Sequence, residues 1–159
     1  MKIISVDPGY ERVGIAIIEK ETSSSKEVLL YSDCFQTSNK DSFETRLKQI
    51  GEEIQKIIEK YNPEVLSIES LFFNSNQKTA LKVSEAKGII KYIALANNLE
   101  ILEFTPLQIK IAITGYGRSD KNQVTSMLTH LINIEKKVKY DDEYDAIAIG
   151  LTYFAVHQV

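Results

Sequence analysis

The sequence has a single cysteine and only two histidines among its 159 residues, and this scarcity excludes two common kinds of site. Cys34 has no second cysteine with which to form an internal disulfide, and no cluster of cysteine and histidine suggests a zinc site. Because Cys34 lies in an apolar-mixed run, we interpret it as a buried strand residue rather than a nucleophile. This cysteine usage is typical of a reducing, cytosolic compartment.

Long hydrophobic runs and a general excess of positive charge are also absent. No apolar run approaches the roughly 20 residues of a membrane span, and the chain starts directly in a strand pattern without the features of a signal peptide. We therefore predict a soluble, cytoplasmic protein with no membrane partner. The net charge of −3 and the pI near 5.5 mean that any nucleic-acid contact must use basic residues concentrated on one face.

The hydrophobic pattern predicts an α/β fold. Short apolar runs predict strands at residues 2–7, 13–18, 28–35, 64–68 and 100–104. Apolar spacings of three and four predict helices at residues 41–61, 78–97, 106–113, 119–131 and 142–157. Short turns join the first three strands into an antiparallel meander, and the later strands follow helical crossovers, which favour parallel pairing. We predict a mixed five-stranded sheet flanked by helices, in one domain spanning residues 1–159.

Two of the predicted helices carry recognisable signals. Asp41 and Glu44 have the spacing of a capping box at the start of the first helix. In the second helix Ala80, Ser84 and Gly88 are four residues apart and form a stripe of small side chains. Such a stripe lets another backbone approach closely. We expect it to pack on the domain's own sheet or a neighbouring helix, with a subunit contact as the alternative.

Asp7 ends the first predicted strand, immediately before Pro8 and Gly9. A carboxylate at the end of a buried strand is unfavourable unless something compensates its charge. The alternative is that Asp7 caps the turn, since Asp before Pro-Gly is common in turns. Glu69 repeats the arrangement, because it comes directly after the predicted strand at residues 64–68. Sites in open α/β sheets lie at this end of the strands, so we expect the two acids to be neighbours.

Two further acids, Asp142 and Asp145, lie on one face of the first turn of the last predicted helix. Acids at a helix N-terminus are favoured by its dipole, so Asp142 with its neighbours Asp141 and Glu143 has a capping interpretation. Asp145 leads into the apolar part of the helix, where a carboxylate needs a cation. Four converging carboxylates repel one another, and hard divalent cations such as Mg²⁺ remove that repulsion. The pattern predicts a phosphodiesterase that uses two metal ions.

Positive charge is concentrated in one segment of this acidic chain. Residues 106–140 contain six Lys and Arg residues against two acids. Lys110 lies in a predicted helix, whereas Arg118 and Lys121 lie in or beside a glycine-punctuated loop. The segment is either a solvated surface or a contact surface for phosphate groups.

Motifs along the chain, in order and with matching spacing, resemble those of the crossover junction endodeoxyribonuclease RuvC family, the bacterial Holliday-junction resolvases. The matching residues are Asp7-Pro8-Gly9 with Gly14, Glu69 followed by Phe72-Phe73, Pro106 with Gln108 and Lys110, Gly115 with Gly117 and Lys121, and Asp142 with Asp145-Ala146. The resemblance implies a ribonuclease-H-like fold. It also implies a homodimer that cuts two symmetry-related strands of a four-way DNA junction, leaving 5′-phosphates, in recombination and repair.

The resemblance also implies roles for individual residues. Asp7, Glu69, Asp142 and Asp145 fall on the family's catalytic, metal-binding acids. Two Mg²⁺ ions, or Mn²⁺ in their place, are implied, with Asp7 bridging both ions, Glu69 on one ion, and Asp142 and Asp145 on the other. The implied DNA-binding residues are Phe72, Phe73, Lys110, Arg118 and Lys121. Phe72 or Phe73 would act as an aromatic wedge at the crossover, with a place in the core as the alternative for Phe72. A branch-migration motor of the RuvA and RuvB type is an implied partner.

Two other classes of function fit part of the pattern. Actin-like and sugar-kinase ATPases also place an Asp-x-Gly turn after their first strand, but they need two such domains around a nucleotide. A catalytically inactive junction-binding protein has no need of acids at all four positions. Both hypotheses therefore explain less of the pattern than the hypothesis of a metal-dependent endonuclease does.

Overall fold

The structure, a computed structural model, describes residues 1–70 and 77–157. The described residues form five strands, namely Lys2–Asp7 (β1), Arg12–Glu19 (β2), Val28–Gln36 (β3), Val65–Glu69 (β4) and Glu100–Phe104 (β5). They also form five helices, namely Phe43–Tyr61 (α1), Gln77–Ala96 (α2), Pro106–Thr114 (α3), Lys121–Leu131 (α4) and Asp141–Val156 (α5). Within these two stretches no helix is long and apolar enough to cross a membrane.

The five strands form one mixed sheet in the order β3-β2-β1-β4-β5. β1 and β2 pair antiparallel, as do β2 and β3, whereas β4 pairs parallel with both β1 and β5. The predicted architecture is therefore confirmed. β1 lies at the centre because its apolar residues are buried on both faces, which is typical of a strand covered by helices on each side.

α5 covers one face of the sheet together with α3 and α4. From Ala146 to Phe154 every residue of α5 is buried, as expected for a helix that is apolar all round and enclosed by other elements. Gly150 allows this close approach, because a Cβ atom at that position would lie 2.7 Å from the hydroxyl of Ser5 in β1. α5 is thus fixed against the central strands, and its N-terminus lies near their carboxyl ends.

α1 and α2 cover the opposite face, where a second core of aliphatic residues lies. The two helices pack closely beside Gly51, whose Cα faces Ile89 and Ile93 of α2. Two residues of the small-residue stripe of α2, Ser84 and Gly88, do not take part in this helix packing. Ser84 and Gly88 are exposed. Apart from its chain neighbours and the backbone of its own helix, no atom of the described residues lies within 4 Å of where a Cβ of Gly88 would be. The expectation that this stripe packs within the domain is therefore wrong for these two residues.

The start of α1 also differs from the predicted capping box. Ser42 is the N-cap, and its hydroxyl accepts a hydrogen bond from the backbone N–H of Thr45. Asp41 instead accepts a hydrogen bond from the side chain of Gln49 at 3.0 Å. Ser and Asp are both good N-caps, so the sequence signal was correct to within one residue.

Gly14 should be intolerant of a side chain. In Gly14→Ala the new Cβ would lie 1.8 Å from the backbone oxygen of Asp142, so β2 or α5 must shift. We expect the free energy of unfolding, measured with urea, to fall by about 2 kcal/mol. Gly117→Ala is the matched control, because its closest contact is the flexible, exposed end of Leu107. Equal losses in the two variants would contradict this explanation.

Candidate active site

Asp7 and Glu69 are brought together by the parallel pairing of β1 and β4. The strand register aligns the residues just before them, so both acids end their strands side by side. Side chains alternate between the faces of a strand, and Ser5 and Ser67, two residues earlier, both face α5. Ser67 donates a hydrogen bond to the carbonyl of Ile149 in α5 at 3.1 Å. The two acids therefore point towards the face covered by α5, as the sequence predicted.

The first turn of α5 brings in the other two predicted acids. Gly14 is the register partner of Asp7, and its missing side chain leaves room for the backbone of Asp142. Asp145 lies one turn further along the same face. We refer to Asp7, Glu69, Asp142 and Asp145 as the acid site.

The acids of the acid site are close enough for their charges to interact. Burial raises the pKa of Asp7 well above its ordinary value, and the charges of Asp145, Glu69 and Asp142 raise it further. Burial likewise raises the pKa of Glu69 and of Asp145, the former with a contribution from Asp145 and the latter with one from Asp142. The pKa of Asp7 responds to all three neighbours, which identifies it as the centre of the cluster.

Two basic side chains partly neutralise the acid site. The Nζ of Lys121 lies 3.1 Å from Asp145 and 3.3 Å from Asp141. Burial alone would lower the pKa of Lys121, but the hydrogen bonds and charges of these two acids outweigh it and raise the pKa. The Nε of Arg12 lies 3.3 Å from Asp142. The sequence did not predict Arg12 as a residue of the site. Its ion pair with Asp142 forms only because the first turn of α5 lies against the start of β2.

The donor set of the acid site fits a hard divalent cation. Its four side chains offer carboxylate oxygens only, the ligands that Mg²⁺ prefers, and the charges of three neighbouring acids add to the effect of burial in raising the pKa of Asp7. Among residues 1–70 and 77–157, no three acid, histidine or cysteine side chains are already arranged to hold a metal ion. If these acids hold a divalent ion, their side chains must move closer together, and Lys121 and Arg12 are the cations now paired with Asp145 and Asp142.

A cleft of about 290 Å³ opens beside the acid site. Acids and lysines line it together with apolar residues of α3, α4 and α5, namely Glu69, Asp145, Lys110, Lys121, Pro106, Ile109, Val124, Ala148 and Ile149. Lys110 reaches it from α3, and Lys121 is the first residue of α4, directly after the N-cap Asp120. The cleft is thus acidic on one wall and basic on the other.

Of the other predicted DNA-binding residues, Arg118 does not line this cleft. Arg118 is exposed in the loop between α3 and α4. Phe72 and Phe73 lie outside the described residues. Cys34 is buried in β3 as predicted, and burial raises the pKa of its thiol to about 11.

Glu143 is a structural residue that the sequence did not reveal. It does not cap the helix as one interpretation of the sequence suggested, because its side chain is buried against β3. The hydroxyl of Ser32 donates to it at 2.5 Å, and Lys136 forms an ion pair with it at 2.8 Å. Lys136 also donates to the carbonyl of Ser32. These contacts fix the first turn of α5. They could not be predicted from the sequence, because Ser32 and Glu143 are 111 positions apart and no short-range pattern links them.

Comparisons with known proteins bear on the family and the fold of the chain. The family model for crossover junction endodeoxyribonuclease RuvC matches residues 3–153. Proteins of that name from Caldicellulosiruptor saccharolyticus and Thermosipho melanesiensis are 40% and 42% identical, covering 96% and 94% of this chain and 92% and 94% of their own lengths. The structure of T. thermophilus RuvC in complex with a Holliday junction substrate is 25% identical, has a TM-score of 0.88, and covers 96% of this chain and 92% of its own. The predicted fold is confirmed.

The pKa of Asp7 makes a prediction about the stability of the metal-free protein. Because folding raises this pKa above its ordinary value near 3.8, the folded state binds more protons than the unfolded state, and stability falls as pH rises from about 4. Asp7→Asn removes that penalty, so at pH 7 with chelator its Tm should exceed that of wild type by roughly 3 °C or more. The difference should close towards pH 4, as followed by calorimetry.

Glu21→Gln serves as the control for this measurement, because Glu21 is exposed in the turn between β2 and β3. Its Tm should follow that of wild type at every pH. A Tm for Asp7→Asn below that of wild type at pH 7 would show that Asp7 stabilises the metal-free fold and would refute the repulsion described above.

Proposed function

The chain belongs to the crossover junction endodeoxyribonuclease RuvC family, and on that premise we propose that it resolves four-way DNA junctions (Holliday junctions) in homologous recombination and repair. The reaction is phosphodiester hydrolysis at two symmetry-related strands, leaving 5′-phosphates. The observation that carries this proposal is the cleft where acids from β4 and α5 face lysines from α3 and α4. Such a cleft suits a metal-bound phosphate in a nucleic-acid backbone.

The family is one of metal-dependent nucleases, and we infer that the metal is Mg²⁺, two ions per site, with Mn²⁺ as a substitute. Asp7, Glu69, Asp142 and Asp145 would hold the ions, and the all-oxygen donor set supports Mg²⁺ over softer metals. When bound, a pair of such ions supplies activation of the attacking water and stabilisation of the leaving oxygen.

The chain's own residues would prepare the substrate. We infer that Lys121 and Arg12 release Asp145 and Asp142 when divalent ions arrive. Lys121 and Lys110 then bind the scissile phosphate from the basic wall of the cleft, where both line the same space. A lysine ammonium is charged at physiological pH, so Lys121 is suited to binding a phosphate once it has left Asp145.

Contacts outside the cleft would hold the junction. Arg118, exposed in the loop between α3 and α4, is proposed to bind the DNA backbone. Phe72 and Phe73 follow Glu69 by three and four residues, which supports the proposal that one of them stacks on unpaired bases at the crossover. The junction as substrate is supported by the related T. thermophilus protein, whose structure is a complex with a Holliday junction.

We propose that the protein works as a homodimer that associates through the outer face of α2. Three large apolar side chains there are mostly exposed, Leu81 by 60%, Tyr92 by 72% and Leu95 by 61%. Ser84 and Gly88 lie on the same helical face and give a second helix room to approach. An exposed apolar face of this kind is typical of a protein interface, and a dimer supplies one acid site for each of the two strands.

Three wider predictions accompany this proposal. A branch-migration motor of the RuvA and RuvB type is a proposed partner, and the cytoplasm, where bacterial DNA lies, is the proposed location. Residues 1–159 are proposed to act as one nuclease domain, which is supported by the two cores that share one sheet.

The proposed reaction depends on Asp7. On a synthetic four-way junction with Mg²⁺, wild type should cut paired strands, whereas Asp7→Asn should cut at least about 10³-fold more slowly because a metal ligand at the centre of the acid site is lost. Single-turnover cleavage on denaturing gels measures this difference. Glu21→Gln should cut at the wild-type rate. If wild type and Asp7→Asn gave the same products at the same rate, the metal-nuclease proposal would fail.

The proposed dimer is tested by filling the space beside Gly88. In Gly88→Leu the new Cβ meets nothing within 4 Å in the described part of the chain beyond its chain neighbours and the backbone of its own helix, so the monomer should fold normally while two α2 helices are kept apart. Sedimentation velocity should show a shift from dimer to monomer, with a dimer Kd raised about 100-fold or more. Thr129→Leu, on the exposed side of α4, is the control. A monomeric wild type, or an unchanged Kd in Gly88→Leu, would refute this interface.

A further inference from the structure

Arg46, on α1, is a buried cation that the proposed reaction does not use. Its side chain is 9% exposed, and Glu11, the carboxylate paired with it, is 3.9 Å away and 65% exposed. An exposed, distant partner compensates a buried charge poorly. The side chain of Arg46 instead contacts the hydroxyl group of Thr37 and the ring of Tyr10. Tyr10 belongs to the turn that follows Asp7, and Thr37 is hydrogen-bonded to it.

A short chain of hydrogen bonds connects Arg46 with that turn. The Nε of Arg46 donates to the hydroxyl of Thr37 at 2.8 Å, and the same hydroxyl donates to the carbonyl of Tyr10 at 2.6 Å. The backbone N–H of Thr37 donates to the carbonyl of Glu11 at 3.0 Å. The Thr37 hydroxyl has one proton to donate and lone pairs to accept, so both of its contacts are satisfied in this arrangement.

The ring of Tyr10 makes a second connection. The guanidinium of Arg46 lies 4.9 Å from its centroid, and the ammonium of Lys82, on α2, lies 5.3 Å from it. Phe43 packs edge-on against the same ring at 5.9 Å. Cations near an aromatic ring are attracted by its quadrupole, so residues of α1 and α2 hold Tyr10 between them.

The turn held in this way is short and tightly closed. Residues 8–11 connect β1 to β2 directly after Asp7. A Cβ at Gly9 would lie 2.0 Å from the carbonyl oxygen of Arg12, so the backbone folds back on itself with no space to spare. A movement of Tyr10 is therefore passed along three residues to Asp7, the central carboxylate of the acid site.

We propose that Arg46 is a positioning residue for the acid site: through the hydroxyl of Thr37 and the carbonyl and ring of Tyr10 it fixes the turn at residues 8–11, and with it the carboxylate of Asp7. An apolar residue at position 46 would fill the same volume without a buried charge, but it would not hold this turn. The inference rests on the proposed function for its kinetic consequence, whereas its consequence for metal binding and for the mobility of the turn is independent of the substrate.

Thr37→Val tests the proposal, because it removes the connecting hydroxyl and keeps the side-chain shape. On a four-way junction with Mg²⁺, kcat should fall about tenfold or more, while KM for the junction stays within about twofold because no DNA contact is lost. Mn²⁺ binding, measured by calorimetry without DNA, should weaken about fivefold. Amide hydrogen exchange at residues 9–12 should become faster. Arg46→Lys, which keeps the charge, should lie between wild type and Arg46→Met in all three measurements.

Thr152→Val is the matched control, since the buried Thr152 hydroxyl also donates to a backbone carbonyl, that of Ala148, but lies ten residues beyond Asp142 in α5. It should lose a similar amount of stability and leave kcat, Mn²⁺ binding and exchange at residues 9–12 unchanged. If Thr37→Val matched Thr152→Val in these readouts, Arg46 would be a purely stabilising residue and the inference would be wrong. If wild type bound Mn²⁺ but cut no junction, the proposed function would fail, and the Mn²⁺ and exchange results would still decide the role of Arg46.

Discussion

The four carboxylates of the acid site repel one another where β1 and β4 end, and burial strengthens this repulsion because little water is left to screen it. Burial raises the pKa of Asp7, and the charges of Asp145, Glu69 and Asp142 raise it further. The fold tolerates the repulsion because each element that carries an acid is held by apolar packing elsewhere along its length. β1 is buried on both faces, and α5 is buried from Ala146 to Phe154. The acids are thus placed by the cores rather than by contacts of their own.

The positive charges at the acid site, in contrast, are carried by flexible side chains. Lys121 and Arg12 extend long, flexible side chains from the first residue of α4 and of β2, and each side chain is at least half exposed. Because Asp142 and Asp145 are only 22% and 39% exposed, each needs a cation beside it, and divalent ions could take the place of these two side chains. The site therefore combines acids in fixed positions with cations on flexible side chains, which is the arrangement required if divalent ions are to replace them.

Local sequence patterns predicted the sheet, the elements and the acids, because a strand that ends in a carboxylate and a helix that begins with two acids are visible within a few residues. Partners distant in sequence could not be predicted in this way. The pairing of Arg12 with Asp142 and the burial of Glu143 beside Ser32 and Lys136 depend on α5 lying across the sheet. The exposure of Gly88 was also missed, since a stripe of small residues does not tell which surface it faces.

The anchoring of Glu143 bears on how the site can change when metal binds. Ser32 and Lys136 hold the first turn of α5 through a residue next to Asp142 but outside the acid site, and Gly14 leaves no room for that turn to move closer to the sheet. We therefore expect the helix to keep its position if divalent ions displace the cations at Asp142 and Asp145. The metal-free and metal-bound forms should then differ in the side chains around the acid site, while the backbone that presents the four carboxylates stays the same.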